Sequence, residues 1–282
     1  MDLLFCFDQN YEQHFGVALT SFLLNNPDVP VTAHLLTKEK SRNLDERFKS
    51  LEDEFNVTIV VYEVSDKNLT DFPLSSHFST AIYYRLIAPE LLPQSLDRIL
   101  YLDSDVVVTG SVTELYSLDF CDKVVAACGS RVITTKQRLQ LQGNYYFNSG
   151  VILINLVQWR RQEIGRQCLE FLNRCGDEVK FGDQDALNKV IDGDFVSVDR
   201  RWNTLVDFYS GRVPVTAESV ILHFIGGLKP WQVWCIEPER QFYWSYLRRS
   251  PWRDAWPEFP KTLKKTASAL RAILRQLKRR FS

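Results

Sequence analysis

The chain has 282 residues, 45% hydrophobic and 24% charged, too long for a disulfide mini-protein and too evenly balanced for a disordered, collagen-like or coiled-coil chain. One α/β core with an elaborated end fits that size. The net charge of −1 hides an asymmetry: residues 261–282 hold eight Lys/Arg and no Asp/Glu, leaving 26 basic against 35 acidic groups elsewhere, so an acidic body carries a basic tail.

From the N-terminus, runs rich in apolar or β-branched residues at 3–7, 31–36 and 57–62 read as strands, and 13–24 and 41–55 suit helices. Such alternation predicts parallel pairing. After an irregular segment at 72–80, residues 99–102 and 106–108 form a fourth apolar run, interrupted by Asp103, Ser104 and Asp105. Further runs at 123–128, 150–156, 195–198 and 219–224 predict a strand-rich second half, with helices at 160–173 and 183–190. Beyond Pro260, Leu263, Ala267, Leu270, Leu274, Leu277 and Phe281 recur at three- and four-residue steps opposite Lys264, Lys265, Arg271, Arg275, Lys278 and Arg279. That pattern predicts a cationic amphipathic helix, suited to an anionic membrane surface at ~1 kcal/mol per basic residue, with Trp252 and Trp256 as interfacial anchors. Packing on the acidic body, or a solvated tail, is the competing reading. Nucleic acid is not an expected partner of an acidic body without a recognised binding module. Apolar runs fall short of the ~20 residues of a spanning helix, no signal-peptide pattern is seen, and six cysteines without a CxxC pair predict free thiols in the cytoplasm.

The strongest chemical signal is Asp103-Ser104-Asp105, entered from an apolar strand. Residues i and i+2 of an extended chain project to one side, so both carboxylates can meet one hard cation, although a solvated turn uses the same residues. His223 opens a second cluster through Gly226, Gly227 and Lys229: glycines admit close backbone approach to an anion, lysine adds a charge, and imidazole can complete the metal shell. Two carboxylates and one histidine favour Mn²⁺, with Mg²⁺ possible. A hydrogen-bonded structural histidine is the alternative. Asp183-Gln184-Asp185 sits at a predicted helix start, where carboxylates also complement the helix dipole. Asn148 precedes an apolar strand in an aromatic context that suits sugar stacking or core packing.

Together these motifs resemble glycosyltransferase family 8, especially its bacterial lipopolysaccharide α-galactosyltransferases and α-glucosyltransferases. The resemblance runs through Phe7-Asp8-Gln9-Asn10-Tyr11, Tyr84-Arg85-Leu86, Tyr101 to Asp105, Tyr146 to Val151, Asp183-Gln184-Asp185, and His223 to Trp231. It implies a single GT-A domain at 1–250 around a mixed, mostly parallel sheet, and a Trp-rich, basic membrane-association segment at 251–282. The implied activity is retaining transfer of galactose or glucose from UDP-galactose or UDP-glucose to a glycan or glycolipid acceptor, with Mn²⁺, at the cytoplasmic face of the membrane. By the same likeness Asp8, Asn10 and Tyr11 hold uridine, Ser104 lies among the nucleotide contacts, and Asp103, Asp105 and His223 ligate the metal. Gly226 and Lys229 would contact the diphosphate, while Arg85, Asp103, Asn148, Asp183 and Gln184 surround the hexose. The expected mechanism is leaving-group stabilisation with same-face attack. Ser130 and Ile225 depart from relatives on the acceptor side, which leaves the acceptor open. Two other readings compete: a haloacid-dehalogenase-type phosphatase using Asp103 and Asp105, and a non-catalytic carbohydrate-binding module.

Overall fold

The computed structural model describes residues 1–64, 81–131, 133–175 and 179–280. The irregular segment expected at 72–80 and Phe281 lie outside them. The first half runs β1 (Asp2–Cys6), α1 (Glu12–Asn25), β2 (Val31–Thr37), α2 (Leu44–Glu54), β3 (Val57–Glu63), α3 (Ala81–Leu91), β4 (Arg98–Leu102) and β5 (Val106–Val108). It continues through α4 (Thr113–Tyr116), β6 (Val125–Ser130), α5 (Ile133–Leu139), β7 (Tyr146–Asn155), α6 (Leu156–Arg161), α7 (Ile164–Cys175), α8 (Asp183–Ile191) and β8 (Val196–Ser197). A 3-10 turn (Arg200–Trp202), β9 (Thr204–Val206), β10 (Ile221–Phe224), α9 (Arg240–Leu247) and α10 (Leu263–Arg280) complete the chain.

Seven strands form one sheet in the order β3-β2-β1-β4-β7-β6-β8. Its pairs are parallel except for β7, which runs antiparallel to both β4 and β6. A mixed, mostly parallel sheet is the architecture expected. Both faces are covered, which explains why the strands read as continuous apolar runs. Alternation divides them: Leu3 and Phe5 of β1 and Leu100 and Leu102 of β4 pack into one core with Phe15 and Val17 of α1. Leu4, Ile99 and Tyr101 face the other, with Tyr83 and Leu86 of α3.

Two expectations change, and one helix was not foreseen. Residues 99–108 are not one run: β4 lies in the large sheet, whereas β5 pairs with β10 in a second sheet of order β5-β10-β9. The helix expected at 160–173 is two helices, broken where Glu163 adopts φ +52; Asn155 caps the first by accepting from Gln158 N at 3.1 Å. Helix α3 went unread because Tyr83, Tyr84, Leu86, Ile87 and Ala88 are all buried, leaving no amphipathic period, and Pro89 lies inside it.

The C-terminal helix forms as expected and docks by one side. Ala269 and Gln276 are buried; Gln276 accepts from Ile236 N at 2.8 Å and donates to Trp234 O at 2.9 Å, and Arg279 donates to Phe208 O at 2.7 Å. Its other side leaves Leu263, Leu270 and Leu274 exposed, as are Trp256 and Phe259 ahead of it in the chain. Trp252 is not an interfacial anchor. Its ring is 2% exposed and lies so close over Gly16 that a Cβ there would sit 2.3 Å away.

Candidate active site

In an open α/β sheet, ligands gather beyond the carboxyl ends of parallel strands where the chain order reverses direction. Here that point lies between β1, followed outward by β2, and its other parallel neighbour β4. Asp8 follows β1 and Asp103 follows β4. Asp8 Oδ1 accepts from Asn10 N at 2.9 Å and Tyr11 N at 3.2 Å, shaping the loop into α1.

Asp103, Asp105 and His223 meet with one ligand atom each, all within 4.8 Å of one another. The carboxylates converge through a turn at Ser104 and Asp105, not along an extended strand, because the chain is crossing between sheets. β5 and β10 then set the histidine: His223 is in register with Val106, and Phe224 N donates to Asp105 O at 3.0 Å. His223 Nε2 lies 3.2 Å from Asp105 Oδ1 and 3.6 Å from Asp103 Oδ2. Ligands sharing a small divalent ion at ~2.1 Å are ~3–4 Å apart, so this donor set fits Mn²⁺ or Mg²⁺. Gly150 makes room: a Cβ there would sit 2.1 Å from His223 Cε1 and 2.6 Å from Asp103 Oδ2.

The two oxygens of Asp103 divide their work. Oδ1 accepts from Arg85 Nη2 and from Tyr101 OH, both at 2.5 Å, which leaves Oδ2 toward His223. Arg85 also donates to Ser149 O at 2.6 Å. Burial alone would lower the Arg85 pKa, but Asp103 and Asp183 outweigh it and raise it. Asp105 is opposed by burial too, yet Lys229, 2.7 Å from its Oδ2, and His223 hold its carboxyl well below the usual range. Asp183 goes the other way: burial, with repulsion from Asp103, pushes it up to about 6 despite Arg85. Asp183 Oδ2 lies 3.0 Å from Arg85 Nη1, but the alignment makes no hydrogen bond.

A cavity of about 260 Å³ takes in Asp8, Tyr11, Arg85, Asp103 to Asp105 and Asp183. Ser104 Oγ, Arg85 Nε and Asp183 Oδ2 are buried around it without hydrogen-bond partners, a state that polar ligand groups would relieve. Across Tyr11 a second cavity of about 520 Å³ holds Asn10, Gly226 and Lys229. Gly226 has φ +78, the left-handed region that favours glycine. Beneath Tyr11, Trp231 stacks on His14 at 3.6 Å between centroids, and burial lowers the His14 pKa to about 3, so this platform is uncharged.

Asn148 and Gln184 adjoin this cluster: Asn148 Nδ2 donates to Gln184 Oε1 at 3.0 Å, and Ser149 N donates to the same oxygen at 3.1 Å. Every residue expected at the site is therefore in or beside one of the two cavities. Sequence reading missed Asn203 and His14, and it took in Tyr101 and Gly150 as parts of motifs without giving either a role. Asp185 was noticed without a role; it is fully buried, paired with Arg138 at 2.7 Å, and accepts from Tyr146 OH at 2.7 Å.

Residues 2–235 match the family model described as glycosyl transferase family 8. A lipopolysaccharide 1,3-galactosyltransferase of Salmonella typhimurium is 32% identical over 259 residues, 87% of this chain and 77% of the relative. A lipopolysaccharide 1,2-glucosyltransferase of Escherichia coli K12 is 28% identical over 271 residues, 91% of this chain and 80% of the relative. Among solved structures, the galactosyltransferase LgtC, in complex with donor and acceptor sugar analogs, superposes with a TM-score of 0.75 at 27% identity, covering 89% of this chain and 96% of that one.

Proposed function

The chain belongs to glycosyl transferase family 8, and from that premise we propose that it transfers galactose or glucose from the UDP-sugar to a lipopolysaccharide-type glycolipid, with retention at the anomeric carbon and dependence on Mn²⁺. The observation that carries this reading is the meeting of Asp103, Asp105 and His223 at the sheet's switch point, beside buried polar atoms that lack partners. Relatives named for lipopolysaccharide acceptors, and one in complex with donor and acceptor sugar analogs, support it.

When bound, a divalent ion supplies positive charge to the departing diphosphate. Around it, Asp8 and Asn10 bind the uracil edge, Tyr11 stacks on its face, and Ser104 Oγ reaches the ribose. Gly226 admits the diphosphate, and Lys229 turns from Asp105 to a phosphate oxygen. Arg85, Asn148 and Asp183 hold the hexose hydroxyls. The bond between the anomeric carbon and the UDP oxygen breaks as the acceptor oxygen bonds to that carbon on the same face, and the acceptor's proton passes to a phosphate oxygen. Gln184 is a positioning group rather than a nucleophile: its Oε1 already accepts two hydrogen bonds and its Nε2 donates to Tyr146 OH. A glycosyl adduct trapped on Gln184 or Asp183 would overturn same-face attack.

The helix α10, within the segment 251–282, presents its exposed leucines and flanking cations to the inner membrane surface, where the acceptor lies. Neither rival reading has comparable support. The phosphatase pattern expects its DxD after the first strand, and Asp103 follows the fourth; a binding module has no use for three converging ligands. The decisive assay incubates the protein with Mn²⁺ and each of several UDP-sugars. Slow UDP release from one hexose, lost with EDTA, is expected; phosphate release from simple phosphomonoesters instead would reject the transferase.

A further inference from the structure

We propose that Asn203 is a positioning residue that fixes which nitrogen of His223 carries the proton and how the ring faces a divalent cation; the inference rests on the metal reading above. Asn203 lies just after the 3-10 turn and before β9, belongs to none of the motifs that point to the site, and is 2% exposed. Its role follows from counting donors and acceptors.

An amide side chain has one accepting and one donating end, so its orientation is settled wherever a backbone N–H contacts it. Gly150 N approaches Asn148 Oδ1 at 3.0 Å, which makes that atom an acceptor and turns Asn148 Nδ2 toward Gln184. Ser149 N fixes Gln184 Oε1 in the same way. The assignments agree at every link through Tyr146 to Asp185. Asn148 Oδ1 also faces Asn203 at 2.9 Å. Two acceptors cannot bond, so Asn203 presents its amino group there and its oxygen to His223 Nδ1 at 3.1 Å. That oxygen can only accept, so Nδ1 carries a proton, and Nε2, which faces Asp103 and Asp105, is the nitrogen left to offer its lone pair when a divalent cation lies between them. A metal-binding imidazole needs this tautomer, and an acceptor behind the ring stabilises it and its tilt. The same chain ties the metal end of the site to Gln184 at the sugar end.

The test needs two readouts on the full chain, ring NMR and Mn²⁺ affinity. In the protein loaded with diamagnetic Mg²⁺, ¹⁵N NMR of the ring, assigned by its absence in His223→Gln, should find the proton on Nδ1; a proton on Nε2 overturns the inference. Mn²⁺ affinity, read by electron paramagnetic resonance without donor, should fall about 10- to 100-fold in Asn203→Ala. Asn203→Asp keeps an acceptor behind the ring but loses the amino group that donates to Asn148 Oδ1, so it should recover only part of the loss, at least about threefold over Asn203→Ala, a rescue that a packing role would not give. Wild-type affinity in Asn203→Ala, or an equal loss in Asn203→Asp, refutes the proposal. Asp105→Asn separates the two layers: it should abolish Mn²⁺ binding, and if it does while Asn203→Ala has no effect, the positioning role alone fails; if it does not, the metal reading fails and takes this inference with it.

Discussion

Asp183 is the one carboxyl of the cluster that burial pushes toward neutrality, to about 6. In the proposed site its ionised form pairs with Arg85 and would accept from a sugar hydroxyl; protonation weakens the pair and turns one accepting oxygen into a donor. The ionised form prevails above about pH 6, so kcat/KM for the donor should fall on the acid side of that value. Asp183→Asn should flatten this limb and lower activity about 10- to 100-fold, the loss of a hydrogen bond to a charged group; paired pH–rate profiles check both. Linkage gives the opposite sign for stability. The folded protein keeps a proton that the unfolded chain releases from its ordinary 3.8 upward, so this group's contribution declines as pH rises from about 4 to 6. At this scale the sequence is readable where residue type itself signals chemistry, as in the carboxylates and the histidine. Asn203 has no such signal: a single asparagine after two arginines and a tryptophan gains meaning only when the fold places it between Asn148 and His223.

The elements show why the site forms although the apolar run carrying it was misjudged. Residues 99–108 look uniform because β4 and β5 are both buried, yet burial does not say in which sheet. The crossing between sheets is what turns Asp103 and Asp105 together and lets the β5 and β10 register carry His223 to them; a one-residue slip would point the ring to the opposite face. Antiparallel β7 brings in Gly150, whose carbonyl accepts from Asp103 N at 2.8 Å. Gly150→Ala should therefore injure the metal site more than the fold. Its new methyl would overlap His223 and Asp103, so Mn²⁺-dependent UDP binding should weaken at least about tenfold while overpacking costs about 1–3 kcal/mol, a fall of a few degrees in Tm. Gly110→Ala, whose added carbon would meet Val220 at 3.4 Å, is the control in calorimetric titration and thermal melting. Equal UDP affinity in the two variants would deny Gly150 its part. Helix α3, which delivers Arg85, was unreadable for a related reason: Tyr83 to Pro89 are all buried, so nearly two turns show no polar face to mark the period.

At the scale of the molecule, the acidic body and basic tail are one arrangement. Of the two competing readings of the tail, docking on the body describes one side of α10, and the proposed membrane contact concerns the exposed leucines of the other. Gln276 and Arg279 fasten one side to the loop after Lys229 and to Phe208. Leu263 is 91% exposed, and Leu270 and Leu274 are each 58% exposed. Lys261 and Lys265 near its start line the same cavity as Gly226 and Lys229, which connects the helix to that cavity. Among the described residues no helix is long and apolar enough to cross a membrane, so attachment would be interfacial. Truncation after Pro260 removes both sides of the helix at once, whereas Leu270→Glu with Leu274→Glu alters only the outer one. Losing two interfacial leucines costs about 3 kcal/mol or more, so co-sedimentation with anionic vesicles should drop about a hundredfold and further in high salt, while turnover of a soluble acceptor stays within about twofold. Vesicle binding that survives the double substitution would place the attachment elsewhere in the chain. A matched loss of soluble turnover would instead mean that the outer leucines support the donor cavity through Lys261 and Lys265, because the docked side is untouched.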